Sequence, residues 1–290
     1  MLGFIYAIIC ALLFPLSEAV KKRLTQKTNI YIIFWATTCL ALPVYIVGTL
    51  VEGIPKIDAT FWLALSAAAP LFLISSLILI KALQISPLSL TVPFLSFTPV
   101  FLILTSWIML RELPNVYGVA GIILVAIGAF LLNAEKISHG ILAPFKAIKT
   151  EKGSLYVLIV AAIWSITSNL DKICLQHSSP FFYLLMINLI ISVFLTILLW
   201  LKYKNGLRDE INSNFKPFLL LGFNVGFATL FQMLAVQRIL VSYTIAIKRA
   251  GLVLGGIIFG WLFFKEEKIR YRLIGGLVMV IGILLIILKH

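Results

Sequence analysis

Apolar runs long enough to cross a lipid bilayer follow one another along almost the whole chain. Hydrophobic residues make up 61% of the 290 positions, charged residues make up 12%, and the mean hydropathy is +1.09. A soluble domain of this size cannot bury so much apolar surface, whereas about 20 apolar residues in a helix span the hydrocarbon core of a membrane. The sequence therefore predicts an all-α integral membrane protein.

Division of the sequence into such runs predicts ten transmembrane helices. The predicted spans are residues 2–20, 29–50, 61–83, 87–110, 116–133, 154–173, 180–201, 215–237, 240–264 and 271–288. The longest connections, residues 134–153 and 202–214, are too short to fold alone. Nearly all of the protein is therefore expected to lie in or beside the membrane.

Eight residues of the first half recur in the same order in the second half. Ala82, Gln84, Ser89 and Thr91 reappear 153 positions later as Ala235, Gln237, Ser242 and Thr244, and Glu112, Tyr117, Gly121 and Gly128 reappear 154 positions later as Glu266, Tyr271, Gly275 and Gly282. The polar and glycine matches carry most weight, because leucine and isoleucine coincide easily in so apolar a chain. A duplicated membrane domain explains the recurrence.

The repeat divides the chain into two five-helix units, residues 1–134 and 154–290, joined by a connection at residues 135–153. Because five is an odd number of crossings, the second unit must insert upside down, which makes the ten helices two inverted repeats. Secondary transporters are commonly built this way, with the substrate near the midplane between the halves. The sequence therefore predicts a permease that moves a small metabolite by alternating access.

Prolines and glycines predict where the two central helices bend. The fourth span carries Pro93 and Pro99, and a proline inside a helix removes a backbone hydrogen bond. The ninth span instead carries glycines, among them Gly251 and Gly255, which let helix backbones approach closely in lipid. We expect both helices to pack at the centre and to act as hinges.

Two short motifs resemble those of a known transporter family. The segment from Ala82 to Pro93, followed by Phe97-Thr-Pro-Val, is similar to the third-to-fourth span region of the EamA family in the drug/metabolite transporter superfamily. Lys265-Glu266-Glu267, followed by Gly275-Gly276, resembles that family's turn between the ninth and tenth spans. The resemblance implies a ten-helix transporter of the plasma (inner) membrane. It leaves the substrate open, and a flippase for a lipid-linked sugar is the alternative within the superfamily.

Lys248 and Arg249 are adjacent charges inside the ninth predicted span. A charge within the membrane is costly and marks a candidate functional site. Lys248 lies about 12 Å deep at a rise of about 1.5 Å per residue, close to the midplane, and shares a helical stripe with Thr244, Gly251 and Gly255. We expect Lys248 or Arg249 to face a central cavity and to bind an anionic or amino-acid-like substrate. The alternative is that both snorkel or pair internally.

Glu18 is the only acidic residue well inside an apolar run, and it is the candidate carrier of a coupling proton. A carboxyl group in a low-dielectric site holds a proton more readily than one in water. Small four-span relatives in the superfamily use a glutamate in their first helix, although Phe14 occupies the equivalent position when counted back from Lys22. An interfacial ion pair between Glu18 and Lys21 or Lys22 is the alternative.

Polar residues of the sixth and eighth spans complete the predicted substrate site. Ser165 and Asn169 lie on or beside a polar stripe of the sixth span, and Asn224 lies in the eighth. Trp164 is the one tryptophan placed to line a cavity; it precedes Lys172 by eight residues, a spacing also found in the family. Hydrogen bonding between helices is the alternative role for the polar residues.

The net charge of +13 indicates topology and not nucleic-acid binding, because the basic residues lie mostly in loops. The loops after the odd-numbered spans carry most of them. The positive-inside rule therefore places both termini outside the cytoplasm, whereas the EamA resemblance implies cytoplasmic termini. Both orientations stay open.

Sequence patterns typical of enzymes and ATP-driven pumps are missing. The three histidines lie in loops or at the terminus, no cluster of acidic residues and histidines has metal-binding spacing, and no Gly-Lys-Ser/Thr phosphate loop occurs. We therefore expect no enzymatic activity, metal or cofactor; a membrane enzyme is the alternative of a different class. The expected partners are a small-molecule substrate, a coupling proton and the lipid bilayer, with a homodimer allowed.

A reporter fused after His290 distinguishes the two orientations. If the loop charges set the topology, an enzyme active only outside the cytoplasm will be active in this fusion. Activity confined to a cytoplasmic reporter at the same position would contradict the charge rule and agree with the EamA resemblance.

Overall fold

The computed structural model describes residues 1–25, 28–86, 92–134, 152–202, 207–264 and 269–288, and their regular structure is entirely helical. The helices are α1 (Leu2–Leu24), α2 (Ile30–Cys39), α3 (Leu42–Glu52), α4 (Ala59–Ile85), a 3₁₀ helix (Val92–Phe97), α5 (Thr98–Leu110), α6 (Val116–Ala134), α7 (Lys152–Gln176), α8 (Pro180–Lys202), α9 (Leu207–Ser213), α10 (Phe215–Val236), α11 (Val241–Phe264) and α12 (Ile269–Leu288). The all-α prediction is confirmed over these residues.

Six described segments are long and apolar enough to cross a membrane. They are Leu2–Lys21, Ile30–Glu52, Ala59–Leu79, Lys152–Gln176, Pro180–Lys202 and Phe215–Val236. Three further apolar helices are shorter, Phe94–Leu110, Val116–Ala129 and Ile274–Leu288. These segments make the chain a multi-pass membrane protein, while the full count of ten spans stays a prediction.

The outer faces of the helices carry large apolar side chains that no other described part of the chain covers. Leu12, Leu63, Trp200 and Leu277 are all exposed. In water such a surface would drive aggregation, but in a membrane hydrocarbon chains cover it. Lipid therefore completes the burial that the protein interior does not supply.

The second predicted span, residues 29–50, consists of two helices, α2 and α3, instead of one. Pro43 lies in the first turn of α3 and has no backbone N–H to donate to the carbonyl four residues earlier. The break packs against α10, where a Cβ added at Gly222 would lie 2.4 Å from the Cβ of Leu40. The proline thus interrupts the span at the point where α10 approaches most closely.

The fourth predicted span, residues 87–110, also differs from a single helix. The 3₁₀ helix leads into α5, and residues 87–91 lie outside the described part of the chain. Pro99 stands in the first turn of α5, where its missing N–H breaks no helical hydrogen bond, and Pro93 belongs to the 3₁₀ helix. Pro99 therefore begins a helix instead of bending its interior, and the hinge role of both prolines stays a prediction.

The most extensive contacts join the first half of the chain to the second. Helix α6 packs along α12, α4 packs along α7, and α1 packs along both α10 and α11. Helix α7 in turn packs against α5 and the 3₁₀ helix. The two halves consequently form one interlocked bundle and not two separate domains.

Glycines bring α6 and α12 into backbone contact. A Cβ added at Gly121 would lie 2.6 Å from the carbonyl oxygen of Gly282, and one added at Gly128 would lie 2.6 Å from the carbonyl oxygen of Gly275. Only a residue without a side chain fits at such an approach. The order of these contacts also shows that α6 and α12 run antiparallel.

Replacing Gly282 with alanine will destabilise the protein, by the roughly 1–3 kcal/mol typical of overpacking. Its Cβ would lie 2.7 Å from the carbonyl oxygen of Gly121, and a backbone oxygen cannot rotate away. The matched control is Gly276→Ala in the same helix, whose Cβ would meet only Leu254 Cδ2 at 3.1 Å. Melting of the two purified variants in detergent measures the difference; equal melting temperatures would show that this contact does not limit packing.

Candidate functional site

Lys248, on α11, is held by side chains from α10 and α1. Its Nζ donates a hydrogen bond of 2.6 Å to Gln232 Oε1 and lies 3.8 Å from the centroid of the Phe14 ring. The amide oxygen and the aromatic face both attract an ammonium group, and neither carries a formal charge. Lys248 is therefore positioned in the bundle without an ion pair to any described carboxylate.

Arg249, the next residue of α11, faces α7. Its guanidinium carbon lies 5.0 Å from the centroid of the Trp164 ring. Its Nε is buried and has no hydrogen-bond partner among the described residues. Leaving a buried donor unsatisfied costs about 1–3 kcal/mol, and more for a charged group. Arg249 therefore presents a donor that a ligand can satisfy.

Trp164 is fixed by a contact on the side of α7 that faces α4. Its indole Nε1 donates to the hydroxyl of Ser75 at 3.1 Å, and Ser75 is fully buried. This hydrogen bond orients the ring against Arg249. The cationic pair thus lies among α1, α7, α10 and α11, which come from both halves of the chain.

Glu18 forms an ion pair with Lys21 on α1, with 2.9 Å between Glu18 Oε1 and Lys21 Nζ, and its side chain is 48% exposed. It interacts electrostatically with Lys248 and Arg249 but forms no ion pair with either within the described structure. The contact with Lys21 matches the alternative interpretation of Glu18. A role in proton coupling stays a prediction.

The Asn169 amide joins α7 to α5, and the Ser165 backbone carbonyl accepts a hydrogen bond of 3.4 Å from Thr105 Oγ1 of α5. The Asn169 carbonyl oxygen accepts from Ser106 Oγ at 2.7 Å, while its Nδ2 donates to Thr105 Oγ1 at 3.0 Å and to the Ser165 carbonyl at 2.9 Å. The Ser165 hydroxyl donates to the carbonyl of Ala162 at 2.7 Å. This geometry favours interhelical packing for Asn169, whereas the Ser165 hydroxyl bonds within its own helix.

Asn224 and Thr244 have local partners as well. Asn224 Oδ1 accepts a hydrogen bond of 2.6 Å from the Ser17 hydroxyl, which joins α10 to α1. Thr244 is fully buried, and its hydroxyl donates to the carbonyl of Leu240 at 3.4 Å. Of the seven predicted substrate-binding residues, Lys248, Arg249 and Trp164 lie together. The substrate role of all seven stays a prediction.

The predicted hinge glycines lie where α11 crosses α1. A Cβ added at Gly251 would lie 2.4 Å from the Cβ of Ala11, and one added at Gly255 would lie 2.3 Å from the Cβ of Pro15. The two glycines therefore let the helix that carries Lys248 approach α1 closely. Bending of α11 at these positions stays a prediction.

An ion pair that the sequence analysis did not predict joins Lys172 to Glu112. Lys172 Nζ lies 2.5 Å from Glu112 Oε1 and donates to the carbonyl of Ile239 at 3.1 Å. Both side chains are largely buried. The contacts tie α7 to the connection after α5 and to the one before α11. Glu112 stood out in the internal repeat and Lys172 in the aromatic-lysine spacing, but sequence alone did not pair them.

Comparison with known families decides the class of the protein. The sequence model of the EamA-like transporter family matches residues 1–134 and 151–288. The chain belongs to this family. Its members are membrane transporters of the drug/metabolite type and not enzymes, in agreement with the resemblance of the motifs around the fourth and tenth spans.

Comparison with solved structures supports the fold of this EamA-like transporter. One crystal structure, described only as that of a protein, superposes with a TM-score of 0.75 at 17% sequence identity, over 99% of this chain and 96% of the other. At that identity the likeness shows the fold alone. The comparison with curated proteins gives no match.

Removing the charge of Glu112 will destabilise the protein strongly. In Glu112→Gln the buried ammonium of Lys172 loses its counter-charge, and breaking a buried ion pair typically costs about 3–5 kcal/mol. The measurement is the melting temperature of the purified protein in detergent.

Asp58→Asn is the matched control, because Asp58 lies 2.7 Å from His177 Nδ1 in an exposed pair. The Phe61 backbone N–H donates to Asp58 and lowers the pKa of that carboxyl, and an asparagine oxygen still accepts this bond. Little change is expected. If both variants melt alike, the Lys172 pair contributes no more than a surface contact.

Proposed function

We propose that this transporter is a secondary-active carrier that moves a small metabolite with an anionic group, such as a carboxylate or phosphate, across the plasma membrane by alternating access. The observation that carries the proposal is the buried Nε of Arg249, beside Lys248, which has no hydrogen-bond partner among the residues that the structure describes. The anionic group would bind between these two cations. The aromatic faces of Phe14 and Trp164 would hold the cations in place from opposite helices.

The cost of these charges supports an anionic substrate. A lysine or arginine at the centre of a transmembrane helix costs about 2.5–3.5 kcal/mol. Across the described ranges, neither Lys248 nor Arg249 forms an ion pair with a carboxylate of the protein. A substrate anion would offset this cost, and its attraction to the cations is strong where water is excluded.

Contacts between helices support the inverted repeat. The internal repeat makes α4 the counterpart of α10 and α7 the counterpart of α1. The contact between α4 and α7 should therefore have a counterpart between α10 and α1. Both contacts are present. In the same way, α1 corresponds to α7 and α11 corresponds to α5. The contact between α1 and α11 has its counterpart between α7 and α5, which is also present. A two-fold relation between the halves would produce this pairing.

The glycines of α6 and α12 follow the same correspondence. In the internal repeat Gly121 corresponds to Gly275, and Gly128 corresponds to Gly282. The close approach of Gly121 to Gly282 therefore becomes that of Gly275 to Gly128, and both approaches occur. A pseudo-two-fold axis that passes between α6 and α12 would account for them, as in carriers built from inverted repeats.

Alternating access requires one end of the bundle to open while the other closes. The Lys172–Glu112 ion pair, with the hydrogen bond to Ile239, ties three parts of the chain together at one end. We infer that this end is closed in the present conformation and that the ion pair must break for it to open. Substrate would then reach Lys248 and Arg249, and leave them, through that end.

Neutralising the cations will weaken the transport of anionic compounds. In proteoliposomes tested with amino acids, organic anions and nucleotide sugars, Arg249→Gln is expected to lower uptake of the transported anion about ten- to hundredfold, the effect of one charged hydrogen bond. Lys248→Gln is expected to have the smaller effect, because Lys248 already donates to Gln232.

Arg238→Gln is the matched control, since it removes an exposed guanidinium that lies 5.2 Å from the Tyr6 ring. Protein levels in the membrane must be equal for all variants. Normal uptake by both cation variants, or selective transport of neutral or cationic compounds by the wild type, would refute an anion site at this pair.

A further inference from the structure

Asp171 is a carboxyl group inside the bundle that has no ion-pair partner in the described part of the chain. It lies on α7, and one of its oxygens accepts a hydrogen bond of 2.5 Å from the hydroxyl of Tyr183 on α8. Tyr183 is buried. The aspartate is thus held by a neutral donor and not by a cation.

The charged and titratable groups around Asp171 are already engaged. From α11, Lys248 acts on it electrostatically, but the Lys248 ammonium donates to Gln232. On α7 itself, Lys172 is paired with Glu112, and the thiol of Cys174 points to the carbonyl of Phe61 at 3.9 Å. From α8, Tyr183 supplies the hydroxyl. No cation in the described surroundings therefore compensates an ionised Asp171 by direct contact.

An uncompensated carboxylate is unfavourable in a low-dielectric interior, and protonation removes the charge. Two other acidic residues of the described bundle, Glu18 and Glu112, are each paired with a lysine. Asp171 is thus the acidic residue in this part of the bundle whose surroundings best suit a proton that binds and leaves.

We propose that Asp171 is the proton-binding site that couples substrate transport to a proton gradient. This inference rests on the proposed carrier function. The Asp171 carboxylate would take a proton from water on one side of the membrane, which forms its O–H bond. In the other conformation it would release the same proton to water on the opposite side. No electron transfer or covalent intermediate is involved.

Electrostatics links the proton to the anion. An ionised Asp171 attracts Lys248 and opposes a second negative charge near it, whereas a protonated Asp171 leaves Lys248 and Arg249 to the substrate. Proton and anion would therefore bind together and cross in the same direction. Helix α7 provides a mechanical connection, since it also carries Trp164 of the cation site and Lys172 of the closed end.

Chemical labelling tests the proton site without a known substrate. N,N′-dicyclohexylcarbodiimide reacts preferentially with protonated carboxyl groups in apolar surroundings, and peptide mass spectrometry locates its adducts. On the wild-type protein in liposomes, we expect an adduct at Asp171 that declines as the pH is raised, and little adduct at Glu18. An adduct at Glu18 but not at Asp171, or an unlabelled Asp171 at every pH, would overturn the proposal.

Transport assays test the coupling with whichever anionic compound the wild-type protein takes up. Asp171→Asn is expected to lose the stimulation of uptake by an imposed pH gradient, while it still exchanges external for internal anion without a gradient. Glu18→Gln is expected to keep the stimulation. If Glu18→Gln loses it and Asp171→Asn keeps it, Asp171 is not the coupling site.

The two experiments also separate this inference from the carrier function on which it rests. Should no anion be transported, the carrier proposal fails, while labelling still reports whether Asp171 binds a proton. Should anion transport be normal and Asp171 stay unlabelled, the carrier proposal stands and the coupling site is wrong. Because labelling uses the wild-type chain, misfolding of Asp171→Asn leaves the test intact.

Discussion

The low dielectric constant of the membrane governs which polar side chains of this protein are fixed and which are available. An unpaired polar group in such surroundings is costly, so most polar groups of the bundle have a partner. Asn169 uses both ends of its amide, and Lys172 has a carboxylate and a carbonyl. Among the described residues, the buried polar atoms without a partner are Thr28 Oγ1, Thr49 Oγ1, Ser192 Oγ, Glu112 Oε2 and Arg249 Nε, and Arg249 Nε is the charged donor of this set. The proposed anion and proton sites rest on this donor and on Asp171, which no cation contacts in the described structure.

The class of the fold could be predicted from sequence because lipid requires long apolar helices, and the family match agrees with it. Interruptions of the helices were harder to predict. Pro43 was visible in the sequence, but its effect depends on the approach of α10 at Gly222. Pro99 was expected to bend a helix interior and instead lies in the first turn of α5. Whether a proline breaks a helix or begins one depends on where that helix starts. The packing of neighbouring helices sets this start.

The candidate site was predicted only in part. The cost of adjacent charges pointed to Lys248 and Arg249, and the structure places Trp164 beside Arg249. A substrate cavity at these residues stays a prediction. The partners of Asn169 on α5 could not be derived, because helical periodicity gives a face but not the helix that covers it. For the same reason the ion pair between Lys172 and Glu112 could not be predicted. The two residues lie in different halves of the chain and come together only in the folded protein.

An experimental structure with a transported anion bound would show whether Lys248 and Arg249 bind the substrate. The carboxylate or phosphate is expected within hydrogen-bond distance of the Arg249 guanidinium, on the side of α11 that faces Trp164, with Lys248 nearby. A bound anion that touches neither Arg249 nor Lys248 would contradict this expectation, and the two charges would then have to be explained as structural.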